Sequence, residues 1–188
     1  MKTVIVTPPT APPVLVDDFK THQRIDGTGE DTYILGLLNK ATLHLEEICS
    51  RKFSAQTWRL LLDKWPGGVE LFLPFGQVQS VASIKYKDDV GDQSTFSADN
   101  YNVDQYSNHG RVVLAYNEAW PSGTLFNLNP IEVDFVCGYV SVPDNLKHAV
   151  TLLAAHWFEN REPVVVGNMS VSMLPEAIDA LIWNYRVF

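Results

Sequence analysis

The feature that most constrains this chain is a change of hydrophobic period, from helical to alternating and back again. Ile34, Leu38, Ala41, Leu45 and Ile48 recur at spacings of four, three, four and three, which predicts one apolar stripe on a helix over about 31–51. From 57 to 139 the texture becomes short runs rich in β-branched and aromatic residues: "TWRLLLD", "VELFL", "VASIKYK", "YNVDQ", "GRVVLA" and "IEVDFVCGY". The turn signals "PGG", "DDVGDQ" and "SNHG" separate them. In the last run Ile131, Val133, Phe135 and Cys137 alternate with Glu132 and Asp134, so one face is buried and the other wet. After Pro143, the residues Leu146, Ala149, Val150, Leu153 and Trp157 restore the helical period to about 161. The expected class is therefore α+β, a small helical bundle core with an inserted antiparallel β-sheet or sandwich. A chain of 188 residues, 46% of them hydrophobic, is long enough to core it.

The flanks follow from local chemistry. "VTPPTAPPVLV" (6–16) places four prolines in six positions, which removes amide donors and favours extended backbone. Residues 1–16 are expected as an extended N-terminal arm, 17–56 and 141–188 as the helical core, and 57–140 as the β-rich insertion. Asp17 is expected to cap a short helix to about Arg24, "DGTGE" breaks it, and Thr28 with Asp31 forms a capping pair for the next helix. At the other end Ile178, Leu181, Ile182 and Tyr185 form a second apolar stripe in "LPEAIDALIWNYRVF", with Pro175 near its first turn. A helix of about a dozen residues is not stable alone in water, so it must dock. The preceding "EPVVVGNMSVSM" has the composition of a loop or extended linker.

Several function classes lose their footing on composition and spacing. The chain has 22 acidic and 14 basic residues, a formal charge of -8 and no basic run longer than Arg51-Lys52, which argues against wrapping DNA by phosphate neutralisation. Cys49 and Cys137 lie far apart without a CxxC partner and read as reduced core residues of a cytosol-like compartment, with a disulfide as the lesser alternative. No stretch reaches the roughly 18 apolar residues of a membrane span. On the helix within "HAVTLLAAHWFENREPVVVG" (148–167), His148 and His156 stand roughly 80° apart around the axis and about 12 Å along it. They cannot share a metal, and the HExxH spacing is absent even though Glu159 neighbours His156. No cofactor or metal is expected. The predicted core faces are instead Ile34, Leu38, Leu45 and Ile48 against Leu146, Val150, Leu153 and Trp157. "DGTG" lacks the GK[ST] ending of a phosphate loop, and Asp88, Asp89 and Asp92 lack the spacing of a calcium loop. With no GxSxG or SxxK motif, the chain does not read as an enzyme.

The ordered combination of "HQRID" (22–26), "RKFSAQTW" (51–58), "LPFGQVQSVASIKY", "AHWFENRE" (155–162) and the terminal "LPEAIDALIWNYRV" resembles the head-tail connector (adaptor) proteins of tailed bacteriophages. The resemblance covers nearly the whole chain and lies with a β-insert subgroup often labelled only as DNA packaging proteins. It implies a structural virion protein at the head-tail junction, made in the host cytoplasm. Such a protein forms a ring under the portal protein, dodecameric in the virion and a monomer or small oligomer when free. It extends the DNA channel and gives the neck or tail completion protein its attachment site. DNA would pass without sequence-specific binding, and an acidic lumen would let it slide. Ile178, Leu181, Ile182, Trp183, Tyr185 and Phe188 are then candidates for a portal or subunit interface, since aromatic residues are enriched at interface hot spots. Folding of these residues onto the chain's own core stays open beside that reading. An accessory DNA-packaging factor would require a basic face, and a hydrolase a pocket with a perturbed acid-base pair.

Overall fold

The computed structural model describes residues 2–161 and 176–187. These form an α+β fold, with four α-helices and eight strands in two antiparallel sheets among the described residues. Cα packing divides it into a β unit, Met1–Thr10 with Ser54–Val140 and Val187, and a helical unit, Ala11–Phe53 with Ser141–Arg186 and Phe188.

The helical unit contains α1 (Val16–Gln23), α2 (Asp31–Cys49), α3 (Asp144–Glu159) and α4 (Glu176–Ile182), the last followed by a 3-10 turn at Trp183–Tyr185. α2 packs on α3, and α3 on α4. Ile34, Leu38, Leu45, Leu146, Val150 and Leu153 are buried, as the stripes require, while Ile48 and Trp157 are half-buried at the edge. The caps differ from expectation. The N-cap of α1 is Leu15 and that of α2 is Glu30, neither with a side-chain capping bond. Asp17 lies inside the first turn, where a carboxylate still suits the helix dipole. The Asp31 amide donates to the Thr28 carbonyl at 3.3 Å, while its carboxylate accepts from the Lys20 ammonium at 3.0 Å, so the two residues meet through backbone and not through a side-chain cap. Arg24 (φ 56°) and Ser50 (φ 50°) end α1 and α2 in the left-handed region, their amides returning to carbonyls of the last turn.

In the β unit a five-stranded sheet runs in the order β1 (Lys2–Thr7), β2 (Gln56–Leu62), β8 (Ile131–Cys137), β4 (Val78–Lys87), β5 (Gln93–Phe96). A three-stranded sheet runs β3 (Glu70–Phe72), β7 (Arg111–Leu114), β6 (Tyr101–Asp104). Both contribute to one apolar core, with Leu60, Ile84, Ile131, Val133 and Phe135 from the larger sheet and Leu71, Tyr101 and Val112 from the smaller. Residues 2–7, expected as part of the arm, are extended but form the edge strand β1, paired antiparallel to β2. Register places Lys2, Leu61, Glu132, Lys85 and Thr95 in one row across the outer face, and Val4, Arg59, Asp134 and Ser83 in another. Gly138 follows β8 at φ +99°, where a Cβ would stand 2.3 Å from the Ser54 carbonyl oxygen, so only glycine fits this turn.

Candidate docking surfaces

The C-terminal segment places its predicted interface residues in two different environments. Ile178 and Ile182, four residues apart on α4, are buried, and Leu181 is half-buried. α4 packs on α3, and the burial of Ile178 and Ile182 fits the alternative left open by the sequence, that this part of the stripe folds onto the chain's own core. The reason is that a two-turn helix cannot leave its apolar face in water. Trp183, by contrast, is 56% exposed, with the Arg186 guanidinium 5.6 Å above its ring. Arg186 also pairs with Asp179. Phe188, residues 162–175 and the linker expected there lie outside the described residues.

A buried polar cluster holds this segment to the end of α2. Arg51, only 6% exposed, donates from Nε to the Tyr185 carbonyl at 3.2 Å. Glu46, 4% exposed, accepts from the Lys52 ammonium at 3.0 Å through Oε2 and from the Phe53 amide at 2.7 Å through Oε1. Burial pushes the Cys49 thiol up to about 11, against the opposing pull of the Arg186 and Arg51 charges, so it is a protonated packing group at neutral pH and not a nucleophile. Sequence reasoning passed over Glu46. The signal was there: Thr42, Glu46 and Cys49 run beside the apolar stripe at spacings of four and three, and all three are buried.

The face of α3 that carries His148 and His156 shows no converging chemistry. Both rings are exposed. His148 meets His22 edge-on at 6.1 Å between centroids, and His156 lies beside Asn160, to whose side-chain amide its carbonyl oxygen is the acceptor at 2.8 Å. Trp157 lies 6.1 Å from the His44 ring. Among the described residues no group of three His, Cys, Asp or Glu side chains could hold a metal ion. The Asp88 carboxylate instead closes the β4–β5 turn, accepting from the amides of Val90 (3.1 Å) and Asp92 (2.8 Å). Nor is any described helix long and apolar enough to cross a membrane.

The β unit presents its chemistry outward. Arg59 grips Asp134 with two bonds of 2.7 and 2.8 Å and reaches Glu132 at 3.2 Å, and Lys87 meets Glu132 at 3.5 Å. These cations are matched by carboxylates within the sheet, so they do not form the unneutralised basic face that phosphate binding needs. Large apolar side chains also stand in water here: Val4, Ile5 and Val6 on β1, Phe72 on β3, and Tyr106 and Tyr116 on loops. Exposed apolar side chains become contact surfaces where they cluster.

A family model described as head completion protein matches residues 14–188. Among solved structures, a chain from the neck of an empty gene transfer agent (GTA) particle, computed with C6 symmetry, is 25% identical with a TM-score of 0.83. A chain from the virion of a native gene transfer agent particle is 24% identical with a TM-score of 0.83, and one from the neck of a native GTA particle computed with C12 symmetry is 23% identical with a TM-score of 0.81. Each covers 100% of this chain and 96% of the other. No curated protein sequence matches.

Proposed function

The chain belongs to the head completion protein family, and from that premise we propose that it is a structural virion protein, a head-tail connector of a phage-type particle. In this reading it forms a ring beneath the portal protein, extends the DNA channel and gives the neck or tail completion protein its attachment site. The observation that carries the reading is the end-to-end likeness, at 25% identity, to a chain from a neck computed with C6 symmetry, with a chain of the same fold at 23% identity in a neck computed with C12 symmetry. Rotational symmetry of that kind supports a closed ring of copies, twelve in the C12 case, in which every copy meets its neighbours through two different patches. The role is one of contact and not of catalysis, and the DNA passes an overall acidic wall that does not grip it.

Within that role Trp183, with Leu181 and Tyr185 beside it, is the portal-side contact. Trp183 is the exposed aromatic among the described residues of the segment, and its ring is held by Arg186, itself fixed by Asp179. Removing the last residues is a poor test because the Tyr185 carbonyl is the acceptor for buried Arg51. Trp183→Ala is the cleaner one. It should leave the melting temperature within a degree or two, since exposed substitutions stay within about 0.5 kcal/mol, while DNA-filled heads accumulate without tails. Normal yields of tailed, infectious particles from that variant would remove the portal contact from Trp183.

A further inference from the structure

We infer that the two edges of the five-stranded sheet, β1 and β5, pair between neighbouring copies of this chain, joining their sheets across the ring; the inference rests on the ring reading above. The sheet order leaves β1 at one edge and β5 at the other, and among the described residues neither has a second strand beside it. Both are open to water: Gln93, Ser94 and Thr95 are exposed, and Val4, Ile5 and Val6 are 43%, 43% and 48% exposed. Natural edges are blunted by proline, inward-pointing charge or a covering element. β1 has no proline and carries its one lysine at its first position, and β5 has neither proline nor charge. The one irregularity in β1 lies beyond Ile5, so Lys2–Ile5 keep a regular row of amides and carbonyls.

Symmetry selects the occupant. A ring requires two non-identical patches on each copy, and one sheet with two free edges supplies such a pair. An antiparallel sheet with an odd number of strands has both edges running in the same sense. A twelvefold axis turns each copy by only about 30° from the next, so β1 of one copy meets β5 of its neighbour as a parallel pair. That polarity brings Lys2, at the start of β1, beside Gln93 and the preceding Asp92, at the start of β5. A lysine thus meets the acidic β4–β5 turn of Asp88, Asp89 and Asp92. Parallel pairing over four residues is weak by itself, which suits copies that join only when a template gathers them.

Disulfide trapping tests this in assembled particles. Lys2 and Val4 lie on the outer face of β1, and Gln93 and Thr95 on that face of β5. Chains carrying Lys2→Cys or Val4→Cys together with Gln93→Cys or Thr95→Cys make four pairings that span the available registers. Cys49 and Cys137 are both buried, so they do not compete. After mild oxidation at least one pairing should give a ladder of covalent multimers on a non-reducing gel, collapsing on reduction, whereas single-cysteine chains stop at dimers. Particles whose neck density shows a ring of this chain, yet which give no ladder from any pairing, would overturn the edge pairing and leave the ring intact. Neck density without such a ring would overturn both. As a second measurement, the paired Val4→Lys and Val6→Lys substitutions charge the edge at exposed positions and should cut incorporation of the chain into particles at least tenfold; unchanged incorporation of this folded variant would likewise overturn the pairing.

Discussion

The two units solve opposite problems with the same alphabet. Of the five buried polar or charged residues among the described residues, Thr42, Glu46, Arg51 and Thr151 belong to the helical unit and Gln56 to the β unit. The helical unit takes charge inside and uses it to position chain ends, through Glu46 to the Phe53 amide and Arg51 to the Tyr185 carbonyl. In the β unit the core is apolar and aromatic, with Trp65 stacked on Trp120 at 4.9 Å. Its ion pairs lie on the outer face, and its exposed apolar residues lie on the edge strands β1 and β3 and on loops. The difference teaches where specificity resides. Buried hydrogen-bonded charge defines one internal arrangement, whereas outward apolar surface waits for a partner.

That contrast breaks or sharpens under substitution. The largest effect belongs to Phe135→Ala, which empties the middle of the apolar core on β8 and should cost about 3–5 kcal/mol in chemical denaturation. Hydrogen exchange should place the loss of protection on β2, β4 and β8; equal loss along α2 and α3 would show that the two cores unfold as one and erase the distinction. Next is Glu46→Gln, which keeps the shape but removes the charge facing Lys52, for an expected loss of about 1.5–3 kcal/mol by the same measurement. A cost below half a kilocalorie would mean that the buried cluster positions nothing. The smallest is Arg59→Ala on the outer face. Arg59 is about a third exposed and solvent screens its pairs, so a loss of only about 0.2–1 kcal/mol is expected, shrinking in high salt. A loss as large as that of Glu46→Gln would place the β unit's stability in its ion pairs and reverse the contrast.

What was legible depended on how local its cause is. The stripe from Ile34 to Ile48 and that from Leu146 to Trp157 located α2 and α3 to within about two residues, because helical period is a property of one segment. Alternation in "IEVDFVC" located β8 in the same way, and the absence of ligand spacing on α3 needed only helix geometry. β5 escaped because "QSTF" is four residues with a single apolar side chain, too short for a period to register. β1 escaped because the proline run beside it dominates that stretch and because its pairing partners on β2, from Thr57 to Leu61, are far away in the sequence.

The sequence by itself determined the α+β class, the order of helical and alternating segments, the apolar faces and the acidic balance, since each follows from residues within a few positions of one another. Only the tertiary structure decided that Ile178 and Ile182 turn inward while Trp183 stays in water, that Glu46 and Arg51 are buried with partners, and that β1 and β5 are the two open edges of one sheet. Those are outcomes of pairing between distant segments. A strand carries the same letters whether it ends in the middle of a sheet or at its edge, and which of the two it becomes depends on the free energy of the whole packed unit.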